Sequence, residues 1–150
     1  MAKDNIHLLS GGMGIDDRGS VSFVNDFNFQ NVKRFYVVEN FSPNTVRAWH
    51  GHKHEAKFVY VPHGSAIVAM VEIDDWENPS RSTPVQRFVL SAKQPKVLYI
   101  PAGYANGFRV LEYGTKIIFF STASLDESQG DDIRWPHDYW GREVWLVEHR

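Results

Sequence analysis

Residues 47–73 read RAWHGHKHEAKFVYVPHGSAIVAMVEI, and this stretch decides the fold class. The run KFVYVP at 57–62 is rich in Phe, Val and Tyr. After the turn residues His63 and Gly64, almost every side chain of SAIVAMVEI at 65–73 is apolar. Short runs of this composition between turn residues are typical of β-strands, and a strand that is apolar on both faces is covered on both sides. The stretch predicts two strands, the second lying between two sheets or between a sheet and a partner subunit.

The rest of the chain repeats this pattern at a spacing of roughly ten residues. Helical periodicity is nearly absent, and we expect no helix longer than a turn or two. The other predicted strands are SVSFVN (20–25), VKRFYVVEN (32–40), TVRAWH (45–50), VQRFVLS (85–91), KVLYIP (96–101), GFRVLE (107–112) and TKIIFFST (115–122). Together these runs predict an all-β sandwich or barrel. The aromatic segment 133–150 is expected to drape over it and to end in an edge strand, EVWLV (143–147).

Length and composition narrow the functional classes. A chain of 150 residues predicts one domain, spanning 1–150. The absence of cysteine excludes disulfides, a thiolate zinc site and a cysteine nucleophile. A formal net charge of −2 argues against nucleic-acid binding, and no apolar run is long enough to cross a membrane. Because the N-terminal apolar patch is too short for a signal peptide, we expect a cytoplasmic protein.

Three histidines, His50, His52 and His54, occupy every second position of one segment. Residues two apart share a face of an extended strand, so the three imidazoles point the same way if the strand continues that far. This geometry permits a metal site, but it also permits a polar rim near a hairpin. His54 lies where we expect the strand to end.

Two blocks of the sequence resemble the metal-binding motifs of the cupins, a family of small β-barrels. The first is His50-Gly51-His52, followed by Lys57 and Gly64, and the second is PAGYAN at 101–106. At the two positions that complete the metal sphere in cupins, this chain has Lys57 and Asn106. An ammonium group repels a divalent cation, and an amide oxygen is a poor ligand for zinc, iron or copper. We therefore predict no metal, with substitution by His54 or Glu55 as the alternative.

The resemblance becomes more specific over most of the chain. The segments DDRG (16–19), RAWH (47–50), KFV (57–59), IPAGYANGF (100–108) and DIRW (132–135) are similar to the ordered blocks of the dTDP-4-dehydrorhamnose 3,5-epimerase family. This resemblance implies a cupin-type jelly-roll β-barrel and a cofactor-free homodimer that acts on a 4-keto-6-deoxy nucleotide-diphosphate sugar. The runs RAWHGHK and RFYVV also resemble motifs of the related nucleotide-sugar 3,4-ketoisomerases.

The resemblance to the epimerases implies a role for four residues. His50 is the expected general base that removes a proton next to the ketone, and Lys57 is the expected cation beside the keto oxygen. Arg18 and Arg47 match arginines that hold the diphosphate, a task that suits a guanidinium group. Arg18 is expected to reach the site of the neighbouring subunit.

The resemblance to the ketoisomerases adds His52 as a second catalytic histidine and Tyr36 as a strand tyrosine at the substrate. Trp49 and Tyr104 are candidates for stacking on a sugar or a nucleobase, although an aromatic residue in a β-rich domain more often belongs to the core.

The sequence also departs from the epimerase pattern. Asn106 replaces a histidine, and Phe119 replaces the tyrosine that serves as general acid; both stay candidate substrate-binding positions. We find no counterpart of the family segment that supplies an aspartate partner for the base. Four functions therefore stay open: an epimerase, a 3,4-ketoisomerase, a metal-dependent cupin and a non-catalytic sugar-binding cupin.

Overall fold

A computed structural model describes residues 4–150 of the chain, so the first three residues of the N-terminal patch lie outside it. The all-β prediction is confirmed. The strands are β1 (His7–Ser10), β2 (Gly12–Asp16), β3 (Gly19–Phe23), β4 (Arg34–Glu39), β5 (Val46–His52), β6 (Lys57–His63), β7 (Ser65–Glu72), β8 (Gln86–Ser91), β9 (Lys96–Ile100), β10 (Tyr104–Val110), β11 (Lys116–Ser121) and β12 (Ile133–Arg134). A short helix, α1 (Leu125–Gln129), and a 3₁₀ turn (Arg142–Trp145) complete the described elements. Within residues 4–150, no helix is long and apolar enough to cross a membrane.

The strands form two five-stranded sheets. The first sheet has the order β1-β9-β6-β11-β4, and the second has the order β12-β5-β10-β7-β8. Neighbouring strands are antiparallel in both sheets. The main core lies between the sheets and includes apolar side chains from both, such as Val59 and Leu98 from the first and Met70 and Phe108 from the second. Strands β2 and β3 form a separate hairpin.

Nine of the ten predicted strands are present, and three strands were missed. The missed strands β1, β2 and β12 lack the run of Val, Ile, Phe or Tyr on which the prediction relied. Strand β12 has only two residues, and it exists because Ile133 and Arg134 pair with β5. Such a strand depends on tertiary contact rather than on local sequence preference.

Strand β7 is covered on both faces, as predicted. One face, with Val68 and Met70, contributes to the core between the sheets. The other face, with Ile67 and Ala69, packs in a second cluster beside the C-terminal aromatic residues, including Trp140 and Trp145. The cover on the outer side is therefore this C-terminal segment.

The predicted edge strand at 143–147 is wrong. Its first part forms the 3₁₀ turn, in which Val144 and Trp145 are buried. Instead of pairing with a strand, the backbone carbonyls of this region accept hydrogen bonds from two arginines. Arg87 donates to the carbonyls of Val144 and Leu146, at 2.8 and 3.0 Å, and Arg109 donates to that of Trp145, at 2.5 Å. Side-chain donors thus satisfy carbonyls that a sheet would otherwise satisfy.

Candidate active site

A cavity of about 280 Å³ opens between the two sheets, where β4 and β5 face one another. The first sheet contributes side chains from β4, β6 and β11, and the second contributes side chains from β5 and β10 together with residues near β12. The lining residues are Arg34, Tyr36, Val38, Arg47, His50, His52, Lys57, Asn106, Phe108, Phe119, Ser128 and Asp132. Seven of the ten residues predicted for the site therefore lie together, and Arg18, Trp49 and Tyr104 do not.

An irregularity in β5 sets which side chains enter the cavity. Asn106 of β10 pairs with His50, but Phe108 pairs with Arg47, so two β5 residues oppose one residue of β10. Such a β-bulge shifts the alternation of side chains along the strand. As a result Arg47 and His50 both line the cavity, although they are three residues apart.

Because of this bulge, the prediction that Trp49 stacks on a ligand is wrong. Its side chain is fully buried, at 0% exposure, in the second cluster, where it contacts Trp140 and Trp145. Its indole N–H donates to the carbonyl of His137 at 3.1 Å. Trp49 is thus a core residue that anchors the C-terminal segment, and its ring is not available to stack on a ligand.

Two further predicted residues lie away from the cavity of their own chain. Tyr104 is partly buried against the core between the sheets and does not line the cavity, and its role in stacking stays a prediction. Arg18 lies at the exposed turn of the β2–β3 hairpin and forms an ion pair with Asp16 at 2.6 Å. The expectation that Arg18 reaches a neighbouring subunit stays a prediction.

His52 is held in one tautomer. Its Nδ1 lies 2.6 Å from the carbonyl oxygen of Asp131, and since a carbonyl can only accept, Nδ1 carries the proton. The Nε2 atom then has a free lone pair, and this buried atom has no hydrogen-bond partner among residues 4–150. Burial, followed by the positive charge of Lys57, lowers the pKa of His52 below its ordinary value. Burial and Lys57 thus both favour the neutral form of His52.

The Asp131 carboxylate organises the turn that follows β5. It accepts hydrogen bonds from three consecutive backbone N–H groups, those of Lys53 at 2.6 Å, His54 at 2.8 Å and Glu55 at 2.9 Å. The turn ends β5 at His52 and places His54 on the exposed surface. The prediction that the strand ends near His54 is confirmed, and the three histidines do not form one cluster.

His50 has a carboxylate neighbour that sequence reasoning missed. Its Nδ1 lies 3.6 Å from Oδ1 of Asp132, which is an ion-pair distance rather than a hydrogen bond. Burial lowers the pKa of His50, while Asp132 acts in the opposite direction. We found no counterpart in the sequence of the family segment that supplies an aspartate, and concluded wrongly that the base lacks such a partner. Asp132, in the segment 132–135, provides a carboxylate beside His50. The sequence did contain a clue, because DIRW (132–135) is one of the blocks that resemble the family, but we assigned no role to its aspartate.

Lys57 and Tyr36 face the histidines from the first sheet. The Lys57 ammonium donates to the Tyr36 hydroxyl oxygen at 2.8 Å. Tyr36 and Phe119 are directly paired across β4 and β11, and their rings stack at a centroid distance of 5.2 Å. The phenol hydroxyl that Phe119 lacks is therefore present on the neighbouring strand.

Two arginines lie at opposite ends of the cavity. Arg47 donates from Nε to the side-chain oxygen of Asn40 at 2.6 Å, just beyond the end of β4. Arg34, at the start of β4, donates to the Ser128 hydroxyl at 3.0 Å and was not predicted. Its signal was a polar residue two positions before Tyr36, hence on the same face of the strand.

The donor set does not fit a divalent cation. The Lys57 ammonium lies in the cavity beside the histidines, and His54 is outside it. The Glu55 carboxylate faces Lys57 and Arg34, each at 3.7 Å. Within the part of the chain that the structure describes, no three histidine, aspartate or glutamate side chains are grouped to hold a metal.

Comparison with known proteins identifies the family. The family model described as dTDP-4-dehydrorhamnose 3,5-epimerase matches residues 13–143. The chain belongs to this family. The spore coat polysaccharide biosynthesis protein SpsL of Bacillus subtilis is 32% identical over 97 residues, which are 64% of this chain and 63% of SpsL. The match thus spans less than two thirds of that relative.

Solved structures confirm the jelly-roll fold of this epimerase family. The RmlC epimerase of Mycobacterium tuberculosis has a TM-score of 0.73 at 16% identity, over 95% of this chain and 73% of that one. A 3,4-ketoisomerase from Helicobacter canadensis has a TM-score of 0.67 at 19% identity, over 93% of this chain and 97% of that one. At these identities the likeness establishes the fold, and the activity must be argued from the site.

Asp131 generates the first prediction. In Asp131→Asn one carboxylate oxygen becomes an amide that cannot accept the backbone N–H groups of the turn. Because hydrogen bonds to charged groups contribute about 1.5 to 3 kcal/mol each, we expect the free energy of unfolding to fall by roughly 2 to 4 kcal/mol. Urea denaturation measures the loss. Asp126→Asn, at an exposed position of α1, is the control and should change stability by less than about 1 kcal/mol; equal effects would contradict the assignment.

Proposed function

We propose that this protein is an isomerase of 4-keto-6-deoxy nucleotide-linked hexoses, which it converts by removing a proton from a carbon next to the ketone. The observation that carries the proposal is that two histidines on the second sheet line one cavity together with a lysine and a tyrosine on the first. A base can remove the proton next to a ketone, and hydroxyl and ammonium donors on the opposite side of the cavity can stabilise the enolate oxyanion that forms. Membership of the epimerase family supports the substrate class.

The reaction begins with the Nε2 lone pair of His50. As the base takes the proton, the C–H bonding electrons form a carbon–carbon double bond and the carbonyl electrons move to oxygen. The Lys57 ammonium and the Tyr36 hydroxyl are the donors that stabilise this oxyanion, because both face the cavity from the opposite sheet. Return of a proton to carbon restores the ketone and completes an isomerisation.

Two outcomes are consistent with this intermediate, and each is favoured by one observation. Tyr36 lies across the cavity from His50, so a proton removed on one face can return on the other, which inverts a carbon. His52 lies beside His50 with its own free lone pair, so a proton taken from C3 can be returned to C4 on the same face while the C3 hydroxyl loses a proton and the C4 oxygen gains one, which is a 3,4-ketoisomerisation. We propose epimerisation as the activity of this protein, with ketoisomerisation as the second candidate.

Deuterium exchange tests the base and separates the outcomes. With a panel of 4-keto-6-deoxy nucleotide sugars in heavy water, His50→Asn should lose about 10²- to 10⁴-fold in the rate of carbon–deuterium exchange, because asparagine keeps the shape and lacks a base. His52→Asn should be equally damaging in a ketoisomerase and only modestly so in an epimerase. His54→Asn is the matched control and should be nearly silent. Exchange that survives in His50→Asn would exclude His50 as the base.

The pH profile should report the same base. The acid limb of kcat/KM follows the pKa of the base in the free enzyme, and burial lowers the pKa of His50. As the pH is lowered, kcat/KM should therefore reach half its maximum only below about pH 6.5, the ordinary pKa of histidine. Asp132→Asn should move the limb to lower pH, because the Asp132 charge acts to raise the pKa of His50. A half-maximal rate above pH 6.5 would contradict this assignment.

We also propose a homodimer in which Arg47 and the partner's copy of the β2–β3 hairpin bind the diphosphate. The support is a hairpin that has no sheet neighbour in residues 4–150 and that exposes Ile15, Val21 and Arg18. A two-stranded hairpin is marginally stable alone.

Subunit mixing tests this arrangement. The Arg18→Ala and His50→Asn proteins should each have low activity alone, but a mixed dimer contains one site with both wild-type residues. After dissociation and reassociation of equal amounts, activity should return to about a quarter of the wild-type value. Light scattering verifies the dimer, and a mixture no more active than its components would contradict the shared site.

A further inference from the structure

Glu55 is a buried carboxylate that the mechanism above does not use. Its side chain is fully buried, at 0% exposure, and neither carboxylate oxygen has a hydrogen-bond donor within residues 4–150. Its Oε2 atom lies 3.7 Å from the Lys57 ammonium and 3.7 Å from Arg34 Nη2. Burying a carboxylate in this way is costly unless nearby cations compensate for it. The positive charges of Lys57 and Arg34 therefore compensate for the burial of the Glu55 carboxylate.

The cations in turn surround Tyr36. Lys57 Nζ lies 5.5 Å and Arg34 Cζ 5.0 Å from the centre of the Tyr36 ring, and Lys57 donates to the Tyr36 hydroxyl. An ammonium has only donors, so the phenol oxygen must accept in this hydrogen bond. The proton of the Tyr36 hydroxyl is then left to point elsewhere, into the cavity. The direction of this hydrogen bond decides whether Tyr36 can donate to a substrate oxygen.

We propose that Glu55 is a positioning residue that holds the Lys57 ammonium against the Tyr36 hydroxyl and so directs the Tyr36 proton toward the substrate. This rests on the proposed function for the identity of the substrate oxygen. Without the carboxylate, two cations would face one another across Tyr36 with no anion between them. Lys57 would then be free to swing toward solvent, and the oxyanion would lose an oriented pair of donors.

The electrostatic part of this arrangement extends to His52. The charged groups that act on the His52 imidazole are Lys57, Glu55 and Asp131, with Asp132 nearby and His50 beside it on β5. Lys57 lowers the pKa of His52 and Glu55 raises it. The His52 ring therefore reports, in the free protein, whether Lys57 stays in place when the Glu55 charge is removed.

The experiment compares Glu55→Gln, which keeps the shape and removes the charge, with Glu39→Gln. Glu39 forms an exposed ion pair with Lys116 on the outer part of the same sheet and is the matched control. NMR titration of the His52 ring in substrate-free protein should give a higher midpoint in Glu55→Gln, because Lys57 lowers the pKa of His52 more strongly than Glu55 raises it and a released Lys57 no longer does so. The midpoint should be unchanged in Glu39→Gln. In the exchange assay, Glu55→Gln should lower kcat by roughly 10- to 100-fold, below the full loss of an oxyanion donor, and leave KM within about threefold.

A double-mutant cycle shows whether Glu55 acts through Lys57. In a Lys57→Met background, Glu55→Gln should lower kcat by less than about threefold further, because the group it positions is already gone. Equal effects of Glu55→Gln in both backgrounds, or an unchanged kcat in the single variant, would overturn the proposal. So would a folded Glu55→Gln protein that loses only thermal stability.

Two further comparisons keep the test decisive. If Glu55→Gln does not fold, Glu55→Asp keeps the charge and should retain a higher kcat than Lys57→Met; an equal kcat overturns the proposal. If the wild-type protein exchanges no 4-keto sugar, the proposed function fails. The His52 titration still decides the role of Glu55 in that case, because a midpoint that falls or stays unchanged in Glu55→Gln shows that Lys57 was not released and overturns the proposal whatever the substrate.

Discussion

The geometry of the site depends on the hydrogen bonds that Asp131 accepts. Its carboxylate binds the backbone of the turn after β5, and its carbonyl oxygen binds Nδ1 of His52. One residue thereby ends β5, fixes the tautomer of His52 and holds the turn that leads into β6 at Lys57. His52 on one sheet and Lys57 on the other are thus positioned by the same short turn, which fixes the separation between them.

Much of the fold could be predicted because strand composition is a local property, whereas the errors arose where side chains depend on distant contacts. Trp49 was assigned to the site because it precedes His50, but a bulge opposite Gly107 turns its ring to the outer cluster. No local pattern announces that bulge. Val144 and Trp145 have strand composition, yet Arg87 and Arg109 satisfy the backbone there and remove the need for a strand partner.

The candidate site was predictable where residue types define the chemistry. His50, His52, Lys57 and Tyr36 were found because bases, cations and phenols are recognisable in a sequence. Asp132 was missed because its role depends on the pairing of a two-residue strand, β12, with β5, which brings residues some eighty positions apart into contact. Burial, which lowers the pKa of both histidines, likewise belongs to the folded chain and not to any short segment.

Under the proposed function, Phe119 in place of a tyrosine moves the acid from β11 to Tyr36 on β4, where it still faces the cavity. Phe119 and Tyr36 are cross-strand neighbours with stacked rings, so their side chains approach the same space from adjacent strands. A phenol on β4 meets the substrate from a different angle than one on β11 would, and it does so under the control of Lys57. The stereochemical outcome should therefore follow from the distance between the Tyr36 hydroxyl and the carbon facing His50, a quantity that a bound 4-keto sugar would reveal directly.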